Sequence, residues 1–447
     1  MKRVLVTGGA GFIGSVVVDK LRDAGYEPCI FDVRHSPHHA RGEVDTLIGD
    51  IRRPDEVRRA AEGCYAIVHM AAAADVGEVA KDPAGAEDLN SRGTLNVLEA
   101  ARDTGVRVVY ASTIWVYSDS SGTATSVDED TPLSPPAHLY SATKLAGELY
   151  CRSYAELYDV EYTVLRFGIP YGPRARPAAV VPVFVNKALR GEPLTVAGGG
   201  KQSRQFVYVE DLAEGVVKGL QDVAVNRTYN LVGSEEVSIM EIASTVQSLI
   251  GDVEIEHVPA RGADFKGAEV DGRRAERELG WRPETPFREG VRRYIAWHKD
   301  QEEAAARRQP RIAVARAWAT SAARMIAAVA LAACVGIAAL ALATVNTRAD
   351  PTDRAAFVAL LVLLMMPLGL VADVDWDRNR RRALGTVVAL AAVAATAAVV
   401  VPTPDHLASV VHDHQLMAAV LAVAVAAIVV LGRRLTRPRE SAPDSAG

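Results

Sequence analysis

Four long apolar stretches occupy the last third of this chain and constrain its structure more than any other feature. None of them contains a charged residue, and each is close to the roughly 20 residues that a helix needs to cross about 30 Å of hydrocarbon. A chain with such stretches is expected to place them in a lipid bilayer, and the alternative is an Ala/Val-rich bundle of buried soluble helices. The stretches are residues 325–345, 355–372, 383–401 and 415–432.

Arginines around these stretches predict an orientation. They cluster before the first stretch, between the second and third, and after the fourth, whereas the other two connections are poor in positive charge. The positive-inside rule then predicts four spans with both termini in the cytoplasm, and so a multi-pass cell-membrane protein with its front part on the cytoplasmic side. The clusters are Arg307, Arg308, Arg311 and Arg316; Arg378, Arg380, Arg381 and Arg382; and Arg433, Arg434, Arg437 and Arg439.

The length of 447 residues predicts more than one domain. No basic stripe with interleaved aromatics appears in the front part, so no nucleic-acid partner is expected, and four scattered cysteines without ligand spacing predict no metal site. We predict an NAD-binding Rossmann domain over residues 1–168, a partly interleaved substrate-binding subdomain over 169–300, a linker over 301–317, a transmembrane region with four helices over 318–434 and a cytoplasmic tail over 435–447.

Short apolar runs alternate with helical segments through the front part. The runs include residues 4–7, 29–33, 66–70, 106–112 and 160–166, with helical segments near 86–101 and 139–157. This alternation is typical of an α/β fold with a doubly wound parallel sheet of the Rossmann type. Shorter elements after residue 169 predict a smaller α+β substrate domain, and the apolar stretches predict an all-α membrane region.

A glycine triplet lies between the first predicted strand and the first predicted helix. Gly8 permits a tight turn, Gly11 lets a pyrophosphate approach the backbone, and Gly14 lets helix and strand pack closely. Asp32 ends the next strand, where a carboxylate accepts from both ribose hydroxyls and repels a 2'-phosphate. This pattern predicts NAD as the cofactor, and the nearby Arg34 is the argument for NADP.

Tyr140 and Lys144 stand four residues apart on a predicted helix, so their side chains share one face. An ammonium group close to a phenol favours the phenolate and lowers the pKa of the phenol. Thr113, at the end of the strand over 106–112, could hydrogen-bond the same substrate oxygen. These three residues predict a site that takes a proton from an alcohol as its hydride leaves.

The chain resembles the extended short-chain dehydrogenase/reductases, and within them the nucleotide-sugar epimerase/dehydratase group that includes UDP-glucose 4-epimerase. The resemblance covers about residues 1–300 and implies that Thr113, Tyr140 and Lys144 are catalytic. It also implies cofactor contacts from Phe12, Ile13, Asp50, Ile51, Met70, Ala71, Ala72, Ala73, Asn90, Tyr140, Lys144 and Gly168, and substrate contacts from Thr113, Ile169, Arg204 and Arg261. The matching motifs are residues 7–14, 49–51, 68–72, 90–94, 112–117, 140–144, 165–168, 171–174 and 204–211.

Two departures from the family pattern narrow the function. Sugar 4,6-dehydratases carry an acidic pair after the catalytic Thr, and the related decarboxylases a Glu, whereas this chain has Ile114 and Trp115. The remaining reaction is 4-epimerisation through a transient 4-keto sugar. Ile169 replaces the family's usual Asn and argues against an ordinary UDP-hexose substrate.

The sequence therefore predicts a membrane-tethered, NAD-dependent sugar epimerase in cell-envelope glycan synthesis. The substrate is expected to be a nucleotide-sugar or a polyprenyl-linked sugar, and the expected partners are membrane lipid, a second copy of the chain and a membrane glycosyltransferase. The alternatives are a keto-sugar reductase or dehydrogenase and a non-catalytic nucleotide sensor. His35, His38 and His39 are expected in a solvated loop next to the adenosine site.

Overall fold

A computed structural model describes residues 1–117, 126–136, 138–251, 253–259 and 269–306. The described residues belong to one compact unit. Its strands are β1 (Arg3–Thr7), β2 (Glu27–Asp32), β3 (Asp45–Ile48), β4 (Ala66–His69), β5 (Arg107–Thr113), β6 (Ser126–Val127), β7 (Tyr162–Phe167), β8 (Ile169–Tyr171), β9 (Leu194–Ala197), β10 (Ser203–Tyr208), β11 (Arg227–Leu231), β12 (Glu236–Ser238), β13 (Ile255–Val258) and β14 (Glu269–Val270).

The helices alternate with these strands through the first half of the unit. A π-helical turn (Asp88–Arg92) joins two of them, and short 3₁₀ turns follow β5 and β9. The helices are α1 (Phe12–Asp23), α2 (Pro54–Ala61), α3 (Val76–Lys81), α4 (Pro83–Glu87), α5 (Gly93–Thr104), α6 (Leu139–Tyr158), α7 (Val180–Leu189), α8 (Val209–Lys218), α9 (Ile239–Ile250), α10 (Arg273–Leu279) and α11 (287–306).

The main sheet has the strand order β11-β7-β5-β4-β1-β2-β3, and all of its pairs are parallel. The order reverses between β4 and β1, where Thr7 pairs with His69. In an open parallel sheet, ligands bind outside the carboxyl ends of the strands at such a reversal. The predicted Rossmann-type sheet is confirmed, and its crevice lies beside the glycine turn.

Apart from the partly exposed edge strand β3, the strands of the main sheet are largely buried because helices cover both faces, which explains their continuous apolar runs. On one face α1 and α8 pack with Val17, Leu21, Leu212 and Val216 in the core. On the other face α2, α5 and α6 pack, with Leu98 among their buried side chains. The sheet is thus fixed from both sides, and the strand ends that form the crevice are held rigidly.

Smaller sheets follow in the second half, with the orders β12-β10-β8, β13-β9 and β14-β6. The first two of these sheets pack on a third apolar cluster that includes Phe184, Phe206 and Phe287, whereas β14-β6 packs in a separate small cluster with Val116. Between β10 and β12 the chain returns to the main sheet, where β11 pairs with β7 at the edge of the sheet. The boundary at residue 168 between a cofactor and a substrate domain stays a prediction.

The predicted membrane region lies outside the described residues. This applies to the four apolar stretches, to residues 307–317 of the linker and to the tail over 435–447. In the part of the chain that the structure describes, no helix combines the length and the apolar character needed to span a membrane.

Candidate active site

The glycine turn between β1 and α1 depends on residues without a side chain. Gly8 has φ 71°, and a Cβ on it would lie 2.8 Å from the backbone nitrogen of Ala71. A Cβ on Gly14 would lie 2.2 Å from the carbonyl oxygen of Gly8. The turn therefore packs against both α1 and the segment after β4, and larger residues at either position would separate them.

The start of α1 is open toward an anion. Its N-cap is Gly11, and in the described part of the chain no side chain caps this end and no acidic residue lies in its first turn. The free backbone N–H groups and the helix dipole suit a pyrophosphate. Phe12 and Ile13 are half-buried and pack against the core below, so they fix the helix end beside the position that a cofactor would take.

Asp32 lies against the same turn. One of its carboxylate oxygens accepts from the backbone of Ala10 at 3.1 Å and the other from the backbone of Arg34 at 3.3 Å. The carboxylate at the end of β2 is therefore oriented beside the glycine turn, as a ribose contact requires. Together, the open helix end, the tight turn and Asp32 fit NAD.

Asp50 and Ile51, which the resemblance places at the adenine, differ in exposure. The Asp50 carboxylate accepts from Arg52, which lowers the pKa of Asp50. The Ile51 side chain is 4% exposed and packs in the core, and a Cβ on Gly93 would lie 2.5 Å from it. In this structure Ile51 mainly holds α5 against the sheet.

A buried polar chain runs beneath the crevice. The Thr7 hydroxyl lies 2.7 Å from Nδ1 of His69, and Nε2 of His69 lies 3.0 Å from the Thr94 hydroxyl. Thr94 donates to the Asn90 carbonyl, so its oxygen accepts from Nε2 of His69, and Nδ1 accepts from Thr7. Burial, followed by the charge of Lys144, lowers the pKa of His69 to about 3. His69 is therefore neutral, and its single ring proton is on Nε2.

This chain fixes the segment after β4 that the resemblance assigns to the cofactor. The backbone nitrogens of Met70 and Ala71 donate to the Thr7 hydroxyl, each at 3.2 Å. Asn90 accepts from the nitrogen of Ala73 at 2.7 Å and donates to its carbonyl at 2.9 Å. The segment that also contains Ala72 is therefore held at both ends by buried side chains.

Asn90 lies on the π-helical turn between α4 and α5, which interrupts the helix predicted over 86–101. Its side chain is 1% exposed and also donates to the Thr143 hydroxyl at 3.0 Å. Thr143 is the residue before Lys144, so one amide connects the predicted cofactor segment to the helix with the predicted catalytic pair. A single-turn π-helix often marks such a functional position.

The helix α6 begins at Leu139 and presents Tyr140, Lys144 and Glu148 at i, i+4 and i+8. Thr113 ends β5 and is 5% exposed, and its hydroxyl lies close enough to Tyr140 to lower the pKa of the phenol slightly. The Lys144 side chain is almost fully buried, with its Nζ 4.4 Å from the centre of the Tyr110 ring. The structure therefore brings the three predicted catalytic residues to one place at the carboxyl end of β5.

The expected lowering of the Tyr140 pKa by Lys144 does not occur in this structure. Burial raises the pKa of Tyr140 to about 12, against smaller opposing effects from the Thr113 hydroxyl and the charge of Arg176. Burial also lowers the pKa of Lys144 to about 8, partly offset by Cys151 and Glu148. In this structure the charge of Lys144 is not among the effects on Tyr140, and desolvation decides the direction of both pKa shifts.

A buried ion pair lies below these residues, and of its two partners Arg166 falls within the matching motif 165–168 whereas Glu148 falls in none. Arg166 on β7 donates to both oxygens of Glu148, at 3.0 and 2.7 Å, and both side chains are 1% exposed. Ser112 donates to Glu148 at 2.5 Å, and Arg166 donates to the Tyr117 hydroxyl at 2.5 Å. The pair ties α6 to β5 and β7, one turn beyond Lys144.

Aromatic and cationic side chains form the substrate side of the site. Trp115 follows Thr113 on a 3₁₀ turn and packs edge-on against His138, with ring centres 5.5 Å apart, and His138 stacks against Tyr140 at 6.2 Å. The guanidinium of Arg204 lies 5.6 Å from the Trp115 ring. Arg204, which the resemblance assigns to the substrate, is thus connected to Tyr140 through the rings of Trp115 and His138.

The other predicted substrate residues take different positions. Ile169 is half-buried and packs against the apolar cluster of the small sheets. Gly168 is buried, and a Cβ on it would lie 2.9 Å from the Gln205 carbonyl, so packing alone accounts for glycine there. Arg261 lies outside the described residues.

The prediction of a solvated histidine loop is wrong for His39. Its side chain is 4% exposed and contacts Asp19 on α1 at 3.0 Å and Ser36 at 2.8 Å. An acidic residue on a neighbouring helix removes this histidine from water, and the sequence around the loop contains no sign of it. Among the described residues, no group of three or more ligating side chains could hold a metal ion.

The sequence and the fold place the chain among known enzymes. Residues 4–232 match the NAD dependent epimerase/dehydratase family. The chain is 32% identical over 317 residues to UDP-glucuronate 4-epimerase of Thermodesulfobacterium geofontis, covering 67% of this chain and 97% of that protein. It is 31% identical over 347 residues to dTDP-glucose 4,6-dehydratase of Neisseria gonorrhoeae, covering 67% and 96%.

A solved structure gives the same result. The crystal structure of UDP-glucose 4-epimerase from Thermus thermophilus in complex with NAD is similar with a TM-score of 0.61 and 31% identity, covering 66% of this chain and 99% of that one. The chain belongs to the NAD dependent epimerase/dehydratase family, of the extended short-chain dehydrogenase/reductase type. The predictions of an NAD-dependent nucleotide-sugar enzyme of this family and of NAD as its cofactor are confirmed.

Proposed function

We propose that the chain is a 4-epimerase of a nucleotide-linked or lipid-linked sugar. The main support is the contrast around Thr113. Tyr140 lies beside Thr113 for acid-base chemistry at a hydroxyl, and Lys144 lies one turn further along α6, whereas the two positions after Thr113 are Ile114 and Trp115. Elimination of water needs a further acid and base at the sugar, which these two side chains cannot supply.

The reaction follows from what each residue can do. Tyr140 takes the proton of the C4 hydroxyl, Thr113 hydrogen-bonds the same oxygen, and Lys144 stabilises the phenolate. NAD, held by the glycine turn and Asp32, would supply a reversible hydride acceptor for C4, so that the hydride could be returned to the other face of the keto sugar. Tyr140 then gives its proton back to the oxygen. Because burial raises the pKa of Tyr140 to about 12, the proton transfer depends on nearby positive charge, and in the structure the charge that opposes the shift is that of Arg176.

The substrate we propose differs from free UDP-glucose. Ile169 cannot donate a hydrogen bond, and it packs in an apolar cluster where the family's Asn contacts the substrate. Such a lost contact typically costs about 1 kcal/mol. The four apolar stretches favour a membrane-tethered enzyme with a cytoplasmic catalytic part, working beside membrane glycosyltransferases in cell-envelope glycan synthesis. A polyprenyl-linked sugar, or a nucleotide sugar passed to a membrane enzyme, agrees with both features.

The reaction is tested with the full chain in detergent. It is incubated in D₂O with UDP-hexoses, UDP-N-acetylhexosamines, UDP-glucuronate and polyprenyl-phosphate sugars, and products are identified by NMR and mass spectrometry. We expect a C4 epimer of unchanged mass, because the C4 hydride returns and no C–H bond exchanges with solvent. Loss of water or CO₂, or net consumption of NAD, would refute 4-epimerisation. Efficient turnover of free UDP-glucose would refute the substrate proposal alone.

The membrane proposal has its own test. In cell fractions washed at alkaline pH, we expect the full chain to stay with the membrane pellet, since one apolar helix already inserts almost irreversibly. Protease added outside intact spheroplasts should leave the catalytic part uncut. Release by the wash, or cleavage of the catalytic part, would contradict the proposed anchoring or its orientation.

A further inference from the structure

The loop between β8 and α7 connects the small sheets to the Rossmann part at two points. We call residues 172–179 the strap. Two turns shape it, with hydrogen bonds from Ala175 to Gly172 at 3.2 Å and from Ala179 to Arg176 at 3.0 Å. Arg174 and Arg176 extend from this loop to different elements of the Rossmann part.

The first contact joins the strap to α1. Nη1 of Arg174 lies 2.8 Å from Asp19, as an ion pair without hydrogen-bond alignment. The other Asp19 oxygen accepts from Nε2 of His39 at 3.0 Å. The exposed fractions of these side chains are 20% for Arg174, 33% for Asp19 and 4% for His39. One carboxylate is thus shared by the strap and the segment after β2.

The charge states of Asp19 and its neighbour His38 follow from the directions in which their pKa values are shifted. Burial alone would raise the pKa of Asp19, but the hydrogen bond from His39 and the charge of Arg174 outweigh it and lower the pKa. Burial, followed by the charge of Arg174, lowers the pKa of the neighbouring His38 to about 4. Asp19 is therefore ionised near neutral pH while His38 is neutral, and Arg174 has a full opposite charge to pair with.

The backbone at Arg174 is strained, with φ 70°. A left-handed conformation is unfavourable for a long side chain and persists only where surrounding contacts enforce it. The chain has an arginine and not a glycine at this left-handed position, although Gly172 lies two residues earlier. The residue that pairs with Asp19 therefore has a backbone conformation that is unfavourable for arginine without such contacts.

The second contact is more exposed. Arg176 lies 3.1 Å from Asp75, with side chains 56% and 42% exposed. Asp75 caps the start of α3 by accepting from Gly77 and Glu78, and it follows Ala73 by two residues. Solvent screens such a pair, so it contributes less than the first contact.

We propose that the strap retains NAD and that the Arg174–Asp19 pair sets how slowly NAD leaves. Asp19 lies two turns, about 10 Å, along α1 from Phe12, where the pyrophosphate is expected. His39 follows Asp32 by seven residues. Asp75 follows the segment after β4 that the resemblance assigns to the cofactor. The two contacts thus lie along the expected path of the dinucleotide, and NAD cannot leave until the strap opens.

The inference rests on the proposed function in one respect. An epimerase reuses the same NAD in each cycle, so slow release serves it, whereas a net oxidoreductase must exchange its cofactor. Release is measured without turnover, however, so a failed exchange experiment and a failed epimerase assay are separate results.

The experiment measures exchange of bound NAD in the full chain in detergent. The protein is loaded with ¹⁴C-NAD, and its loss into excess unlabelled NAD is followed with time. We expect Arg174→Asn to release NAD about five- to tenfold faster, since losing about 1 kcal/mol corresponds to roughly that factor. Asn tolerates the left-handed backbone, so the variant removes the charge with little change in backbone strain.

Two further variants separate retention from a general structural effect. Asp19→Asn should accelerate release similarly, and the double variant should release NAD no faster than either single one, because both remove the same pair. Arg22→Gln is the matched control: Arg22 pairs with Glu43 at 2.8 Å and links α1 to the segment after β2 without reaching the strap. Release at the wild-type rate from Arg174→Asn, or equal acceleration by Arg22→Gln, would overturn the proposal.

Discussion

On the cofactor side of Tyr140 the buried side chains are polar and hydrogen-bonded to one another, whereas half-buried aromatic and cationic side chains form the substrate side. Thr7, His69 and Asn90 form a chain in which each donor has an acceptor. Across the site, Trp115 lies between His138 and Arg204. The first arrangement fixes the backbone of the segment after β4 for the cofactor, and we expect changes in the second to affect the substrate while that segment stays in place.

The largest effect is expected where the two sides meet. Tyr140→Phe removes the proton acceptor, and turnover should fall about 10²- to 10⁴-fold while NAD remains bound. Steady-state assays and NAD content after purification measure both. Tyr154→Phe is the control, because Tyr154 lies on the same helix and hydrogen-bonds Glu99 away from the site. Full activity of Tyr140→Phe would refute the assigned chemistry.

A buried charge beneath the cofactor side should have the largest effect on stability. Glu148→Gln leaves Arg166 buried without a countercharge, and the free energy of unfolding should fall by about 3 kcal/mol in denaturant titrations. Glu192→Gln breaks an exposed pair with Arg190 and should cost less than about 1 kcal/mol. Equal effects of the two substitutions would mean that burial does not distinguish the pairs.

The cofactor side also predicts a nucleotide preference. Asp32→Ala should weaken NAD binding about tenfold and narrow its advantage over NADP, because the ribose hydroxyls lose their acceptor. Titration of the apoprotein with both nucleotides measures this, and Asp23→Ala, at the exposed end of α1, is the control. If the wild-type protein already prefers NADP, then Arg34 and not Asp32 determines the preference between the two nucleotides.

The pKa of Lys144 gives a test of its burial. In the folded state it is about 8, below the ordinary 10.5, so the unfolded chain binds more protons between these values. The free energy of unfolding of the wild type should therefore rise relative to Lys144→Met above pH 8, by about 1 kcal/mol per pH unit. Below pH 8 the difference should be constant. A flat difference up to pH 10 would mean that Lys144 is solvated.

The smallest effect is expected on the substrate side. Trp115→Ala removes the ring beneath Arg204, and KM should rise about fivefold, corresponding to about 1 kcal/mol, while NAD affinity is unchanged. A matching loss of NAD affinity would show that the two sides are not independent. Trp297→Ala, at the third apolar cluster, controls for loss of a large ring elsewhere.

The sequence predicted the features that depend on local patterns. The alternating apolar runs predicted the parallel sheet, and the glycine turn and the Tyr140–Lys144 spacing each depend on residues within one or two adjacent elements. The structure brings these groups together as expected. The roles of individual site residues stay predictions, and Arg261 and the membrane stretches lie outside the described residues.

Features that depend on distant contacts were missed for a physical reason. Glu148 meets Arg166 and Asp19 meets His39 only after strands and helices have packed, and neither pair has a fixed spacing. Likewise, the pKa of Tyr140 depends on desolvation, which the separation of two residues on a helix does not reveal. The sequence did not reveal which of these side chains are buried, and burial determines both their pairing and their pKa values.

The return of β11 to the main sheet has a consequence for biosynthesis. β7 has no neighbour on its outer edge until residues 227–231 have left the ribosome, by which time β8, β9 and β10 have already emerged. The sheet edge therefore stays open during synthesis of the intervening segment, and an open edge can pair with other nascent chains. A chain that stopped near residue 168 would leave this edge permanently exposed.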